Sequence, residues 1–239
     1  MTSASAILAF DTATSNCSVA ITRGGFSDGQ VLGALSFDSG VTHSRRLLGS
    51  IDWLLQTVDM KISDIGTLAL GTGPGSFTGL RIGMATAKGF AHGQGLPLIG
   101  ISSLDAVAAS VHSERLICVA MDARKKEVYC CFYRYRPGGE VVRCAEPAVM
   151  APEALAGLIN EPVTIAGDGV RVYNDVFSKL LGERAELLTR ISSPSAANIG
   201  FLASVEQAAG NYLDVDQAAP EYVRSSDAQL SLVSPLKSG

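Results

Sequence analysis

The chain has 239 residues, 47% of them hydrophobic, and 19 basic against 23 acidic side chains give a net charge of −4. That length and apolar content suit one large domain or two compact ones and mark a globular protein. The acidic balance excludes a surface that neutralises many phosphates by itself, a mode that needs clustered Lys and Arg, so any nucleic acid would be held mainly by something else.

The opening MTSASAILAFDTATS has no basic lead, and its apolar run soon meets Asp11, which fits neither a signal peptide nor a membrane span. We expect a cytoplasmic protein with no membrane contact. The next residues read as a strand, a polar turn and a second strand (AILAFDTATSNCSVAITRGG), with QVLGALSFDS as a third alternating run. From His43 to Val58 the apolar positions Leu47, Leu48, Ile51, Leu54, Leu55 and Val58 recur at helical steps, with Thr42 as the expected N-cap. IGTLALGTG is a buried strand, a helix runs from about Thr78 to His92, and LPLIGIS is another buried strand. Strand, helix, strand in that order implies a right-handed parallel crossover.

The pattern then restarts. RLICVAMDARKKEVYCCFYRY gives two strands around a charged turn, and EVVRCAEPAVM continues the meander. A short helix near Pro152 to Leu158, the strand VTIAGDG and a helix from Ser195 to Ala209 ending at Gly210 follow. The tail from Ala218 has no sustained periodicity and is expected to end without order. Two halves that each open on a three-stranded meander predict a duplicated α/β fold, divided at residues 1–106 and 107–239, of the kind shared by actin, hexokinase and Hsp70.

Five cysteines (Cys17, Cys118, Cys130, Cys131, Cys144) without C-x-x-C spacing read as reduced thiols packed as small hydrophobes. His43, His92 and His112 have no His or Cys neighbour three or four residues away, so no metal site is expected.

The densest motif is GTGPGSFTGLRIGMATAKGFA, Gly71 to Ala91. A glycine-rich turn before a helix has the geometry of a phosphate loop, yet neither G-x-x-x-x-G-K-[ST] nor G-x-G-x-x-G is completed, Ser76 standing where the last glycine should be. G-x-S-x-G is absent too, and no histidine is spaced to serve Ser76, which leaves that hydroxyl a turn or capping role. Gly73, Pro74, Gly75, Ser76, Phe77 and Thr78 are accounted for by a tight turn with Thr78 as cap. Beyond it, Gly79, Gly83, Ala87 and Ala91 fall at four-residue steps and bare one helix face for close approach, either to the chain's own sheet or to a partner helix. Glycine inside a helix costs about 1 kcal/mol relative to alanine, so Gly83 and Gly89 need some return from packing. In the first helix Trp53 lies opposite the Leu47–Leu54 stripe, beside Gly49 and Ser50, as an aromatic anchor at an interface would.

The strings ILAFDTATSNCSVAI, GTGPGSFTGLRIGMATAKGFA, PLIGISSLDAVA, MDARKKEVY, GDG and PEYVR, in this order over nearly the whole chain, resemble the bacterial TsaB (YeaZ) proteins. The resemblance implies a two-domain actin-like (ASKHA, RNase H-like) fold and a non-catalytic scaffold of the system that attaches threonylcarbamoyl to N6 of adenosine 37 in tRNAs reading ANN codons. It implies a heterodimer with the paralogue TsaD, a TsaE-like ATPase joining through that heterodimer, a possible homodimer, and tRNA met only indirectly. ATP, ADP and metal are expected in the partner subunits, and no cofactor here. The partner-binding residues it implies are Arg46 and Trp53 on the first helix and Gly79, Gly83, Ala87 and Ala91 on the second. Where TsaD runs into a metal-binding H-x-x-x-H pair, this chain has Ser103 and Val107, and neither can replace an imidazole.

Asp11 and Thr12 end the first strand where actin-like ATPases place a phosphate-proximal Asp; a strand-end Asp bonding the Ser15–Asn16 turn is the alternative. Arg124, Lys125 and Lys126 could be offered to tRNA, although a charged hairpin tip is usually only solvated. Gly167 to Gly169 matches a nucleotide-cleft position in ATP-binding relatives and is equally a simple turn. Against the scaffold stand an actin-like ATP-binding protein, which titration with ATP and magnesium would reveal, and a glycoprotease-type peptidase, which tightly bound zinc or iron would revive.

Overall fold

β1 (Ala6–Asp11), an apolar run closed by one carboxylate, is the centre of a five-stranded sheet in the computed structural model, which describes residues 5–38, 43–136, 140–221 and 223. β2 (Asn16–Arg23) pairs antiparallel with β1 and β3 (Gln30–Asp38) antiparallel with β2, while β4 (Ile65–Gly73) and β5 (Leu98–Ser102) add in parallel on the other side. α1 (His43–Thr57) links β3 to β4, and α2 (Phe77–Gln94) links β4 to β5, the long crossover that parallel neighbours require. Side chains alternate along β1. Ala6, Leu8 and Phe10 meet Leu47, Ile51 and Leu54 of α1 and Met84 and Ala87 of α2 in one core, and Ile7 and Ala9 line the opposite face with Ala20 and Ala69.

After α3 (Ser103–Ala108) the topology repeats. β6 (Leu116–Arg124) takes the central place, β7 (Glu127–Tyr135) pairs antiparallel with it, and β8 (Val141–Arg143) and β9 (Ala148–Met150) both pair with β7. α4 (Pro152–Leu158) precedes β10 (Val163–Ala166), which lies parallel to β6; α5 (Gly169–Val172) and α6 (Asn174–Leu181) lead to β11 (Ala185–Leu188), parallel to β10. Cys118, Ala120 and Val128 of this sheet are covered by Leu155, Val170 and Phe177 from α4, α5 and α6. Strand orders β3-β2-β1-β4-β5 and β8-β7-β6-β10-β11 are the same design, which is the duplicated actin-like arrangement the sequence predicts. The short α5, α6 and β11 were not foreseen: α6 buries only Phe177 and Leu181 among its eight residues, too few to declare a period.

α7 (Ala196–Ala209), capped by Gly210 in the left-handed region, corrects the expected domain division. Among the described residues up to Glu221, the two compact units are Met1–Ala106 with Pro194–Glu221, and Val107–Ser193, so residues 194–221 return to the first unit instead of staying in the second. The reason is the open face of the first sheet. Ala196, Ile199 and Ala203 of α7 cover Ile7, Ala9, Ala20, Ala69 and Ile99 there, and the Ala196 N–H donates to Ser18 Oγ at 2.9 Å. The segment that follows is tied down as well. The Leu213 N–H donates to the Leu98 carbonyl and the Glu221 N–H to the Thr72 carbonyl, both at 2.8 Å, while Leu213, Val215 and Ala218 pack on the core beneath α1 and α2. Most of the tail beyond Glu221, like the expected N-cap Thr42, lies outside the described residues. Among the described residues no helix is long and apolar enough to cross a membrane.

Close approach of α7 depends on Gly200, where a Cβ would collide with the buried Thr22 Oγ1. Alanine normally gains about 1 kcal/mol over glycine in a helix, but overpacking costs about 1–3 kcal/mol. Gly200→Ala is therefore expected to lower stability, read as a lower midpoint in urea denaturation; an unchanged or raised midpoint would show that α7 does not sit this close.

Candidate functional site

The glycine-rich turn forms a joint between α2 and the β1–β2 connection. Gly73 takes φ 116°, a conformation that a side chain would resist, and lets the chain leave β4 sharply. The Ser76 N–H donates to the Ala13 carbonyl, and Ser76 Oγ caps α2 by accepting from the Gly79 N–H at 3.3 Å. The cap is thus Ser76, not Thr78, which is exposed inside the first turn. Thr12 Oγ1 donates to the Gly79 carbonyl at 2.8 Å. A Cβ on Gly75 would collide with the Ala13 carbonyl, one on Gly79 with the Thr12 carbonyl, and one on Gly83 would stand 2.7 Å from Thr12 Oγ1. Ala87 and Ala91 continue the same line into the first core at 0% and 4% exposure.

This overturns the expected interface stripe. Gly79, Gly83, Ala87 and Ala91 are buried within their own unit and are not a surface for a partner. Two residues along a helix is a turn of 200°, so the opposite face begins at Phe77 and runs through Arg81, Ala85, Gly89 and Gly93, all exposed. Phe77 is 54% exposed beneath the Arg81 guanidinium at 3.8 Å, and a Cβ on Gly89 or Gly93 would meet nothing within 4 Å. α1 packs beside α2 and leaves Leu48 and Trp53 exposed at 53% and 57%, with open space over Gly49. Arg46, also exposed, sits over the Phe37 ring at 5.9 Å. Trp53 is therefore where the sequence reading put it, on the face opposite the buried Leu47–Leu54 stripe.

Asp11 and Thr12 are held by structural ties. Asp11 Oδ1 accepts from the Ala13 N–H and Oδ2 from the Ser103 hydroxyl, both at 2.8 Å, beneath the bare Cα of Gly71. The expected bond to the Ser15–Asn16 turn is made instead by Thr14 Oγ1, which accepts from the Asn16 N–H at 3.2 Å. Both residues are 2% exposed, and each oxygen of the Asp11 carboxylate already accepts a hydrogen bond from within the chain. Ser103, expected to have no ligand role, donates its hydroxyl to Asp11, and Val107 is fully buried.

In the second unit Asp122 repeats the Asp11 pattern. Its Oδ1 accepts from the Arg124 N–H at 3.0 Å, and its own N–H donates to Asp168 Oδ1 at 2.8 Å. Gly167 and Gly169 bring the GDG turn onto the Ala120 carbonyl, where a Cβ at either would be too close. Burial pushes the Asp168 carboxyl up to about 6 despite the hydrogen bond from Asp122. Four of the five thiols match their expected role: Cys17, Cys118, Cys130 and Cys131 are buried, and burial pushes Cys17 up to about 11 and Cys130 to about 12, whereas Cys144 is exposed and does not pack as a buried hydrophobe.

Two measurements check the joint. Gly79→Ala is expected to destabilise by about 1–3 kcal/mol through overpacking, whereas Gly89→Ala, with nothing overhead, should stabilise the isolated chain by about 0.5–1 kcal/mol; equal effects in parallel urea titrations would refute the assignment of faces. Desolvation raises the Asp11 carboxyl to about 6, against hydrogen bonds from Ala13 and Ser103 that lower it. In the unfolded chain it titrates near 4, so between about pH 4 and 6 the folded state holds a proton that the unfolded state lacks. Its contribution to stability is fully present below that window, falls as pH rises through it, and is flat above. Asp11→Asn removes the ionisation, so its melting temperature should match the parent near pH 4 and exceed it at neutral pH; a constant difference would count against a raised carboxyl.

Comparison with known proteins agrees with this architecture. Residues 38–232 match the family model described as TsaD: tRNA N6-adenosine threonylcarbamoyltransferase. The crystal structure of a Pseudomonas aeruginosa protein described as similar to peptidase YEAZ, 30% identical, superposes with a TM-score of 0.78 over 92% of this chain and 100% of that one. A Bacillus subtilis (strain 168) tRNA threonylcarbamoyladenosine biosynthesis protein TsaB is 28% identical over 97% of this chain and 99% of its own length. The Escherichia coli (strain K12) TsaB is 34% identical over 93% of this chain and 96% of its own length. Matched along nearly its whole length in sequence and in fold, this chain belongs to the TsaB family of tRNA threonylcarbamoyladenosine biosynthesis proteins.

Proposed function

We propose that this chain is a non-catalytic scaffold in the cytoplasmic complex that transfers threonylcarbamoyl to N6 of adenosine 37 in tRNAs reading ANN codons. It pairs with a TsaD-like paralogue, and through that pair with a TsaE-like ATPase. Nucleotide and metal belong to those partner subunits. The observation that carries the reading is the outer side of α1 and α2, two adjacent helices whose exposed residues include Leu48, Trp53 and Phe77 while Gly49, Gly89 and Gly93 have open space above them. Large apolar side chains beside bare backbone suit helices packing from outside: the aromatics serve as anchors, and the glycines permit close approach. Ser103 and Val107 support the non-catalytic part, since one is engaged by Asp11 and the other is buried.

Reconstitution tests this. The purified chain should transfer nothing alone, and the paralogue should lose threonylcarbamoylation when the chain is left out. Trp53→Ala and Gly89→Trp should each weaken heterodimer formation by roughly tenfold or more, with folding intact by circular dichroism. Transfer by the chain alone, or full-strength pairing by both variants, would overturn the scaffold.

A further inference from the structure

The β6–β7 hairpin closes at its tip with Lys125 and Lys126, because Arg124 pairs with Glu127 across the ladder. Lys125 has φ 52° and Lys126 φ 63°, the signature of a two-residue type I′ turn, and Arg124 is also left-handed at φ 61°. Type I′ turns are ordinarily filled by Asn-Gly or similar pairs, which enter that region at little cost, whereas lysine and arginine are opposed by their Cβ. Three consecutive long basic residues therefore stand where cheaper turn chemistry exists, in a chain whose net charge is −4.

Residues stay in such conformations only where the surroundings fix them, and here the base of the hairpin does so. Asp122 Oδ1 accepts from the Arg124 N–H at 3.0 Å and from the Tyr173 hydroxyl at 3.3 Å, and the Asp122 N–H is anchored on Asp168 Oδ1. Arg124 Nη1 lies 3.3 Å from Asp122 Oδ2, so its charge is partly answered within the hairpin. Lys125 and Lys126 are exposed, and neither forms an ion pair among the described residues. The result is a rigid mount with two uncompensated ammonium groups at its end.

We infer that this tip is a contact for the phosphate backbone of tRNA, made by the second unit of the chain and additional to whatever the paralogue holds. The inference rests on the scaffold reading for its choice of polyanion. Two lysines meeting phosphates contribute affinity without sequence readout and release counterions as they do so, which makes the contact salt-dependent. That footprint is small, as suits a chain whose net charge is −4.

The turn chemistry supplies a variant in which structure and charge separate. Lys125→Asn with Lys126→Gly installs the preferred type I′ pair, so the melting temperature should rise or hold while both charges are lost. The parent chain is first assembled with the paralogue, and tRNA affinity of that complex is followed by fluorescence anisotropy over KCl from about 50 to 200 mM. The variant complex should bind tRNA roughly three- to tenfold more weakly at the low-salt end, with the slope of log K against log[KCl] shallower by about one to two units. Lys125→Arg with Lys126→Arg should restore both. Unchanged affinity and slope in the Asn-Gly variant would overturn the inference, as would loss of pairing with the paralogue in place of loss of tRNA, since the tip would then be a protein contact. Failure of the parent chain to assemble at all would strike the scaffold reading itself, a result distinct from either.

Discussion

Everything in the first unit is organised by one close contact, the backbone of α2 lying against the backbone of Thr12 and Ala13. Two carbonyls and a threonine hydroxyl fill the space where side chains of Gly75, Gly79 and Gly83 would be, and the Ser76 N–H and Gly79 carbonyl are hydrogen-bonded across the gap. At Gly75 and Gly79 backbone meets backbone, so no side-chain repacking can relieve a Cβ added there. The contact also fixes the rotation of α2 about its axis, and with it which residues look outward. Phe77, Arg81, Ala85 and Gly89 are exposed because Gly79, Gly83, Ala87 and Ala91 are not.

The two units use one topology with different outcomes at the same place. Each central strand carries an aspartate whose Oδ1 receives the N–H two residues later, Asp11 from Ala13 and Asp122 from Arg124. In the first unit the following turn is roofed by the glycine-rich joint and Asp11 is 2% exposed, so its carboxyl is desolvated and raised. In the second, the turn after β10 reaches only the base of the hairpin through Asp168, and the tip beyond it stays in solvent with its basic residues. The repeated topology thus keeps the carboxylate and its hydrogen bond, while the connection after each parallel strand decides whether the hairpin is covered.

Strand order and most helices were legible because alternation and helical steps are written in the apolar residues themselves, as in Ala6–Asp11 and in Leu47, Ile51 and Leu54. The direction of the small-residue stripe was not. Four-residue spacing shows that Gly79, Gly83, Ala87 and Ala91 share a face, but says nothing of which neighbour that face meets, and Ala85, Gly89 and Gly93 form an equally bare line on the other side. The place of α7 was hidden for a related reason. Its apolar residues announce a buried helix, yet which sheet buries it depends on which face is left open, a property of the first hundred residues and not of the helix. Asp11 was marked as a strand-end carboxylate, while its second partner, Ser103, lies 92 residues away in sequence and carries no local signature.

These placements change what the glycines can be asked to explain. A helical glycine that contacts Thr12 is accounted for within its own unit, so its cost of about 1 kcal/mol is offset by a joint that no larger residue could make. Gly89 and Gly93 have no such account: they bear the same cost beneath open space, on the same line as an exposed phenylalanine. An isolated protein gains nothing from that arrangement, and alanine would serve it better. The side of α2 that its own fold leaves unexplained is the side that carries the exposed Phe77, and the buried stripe that first drew attention is what holds that side in position.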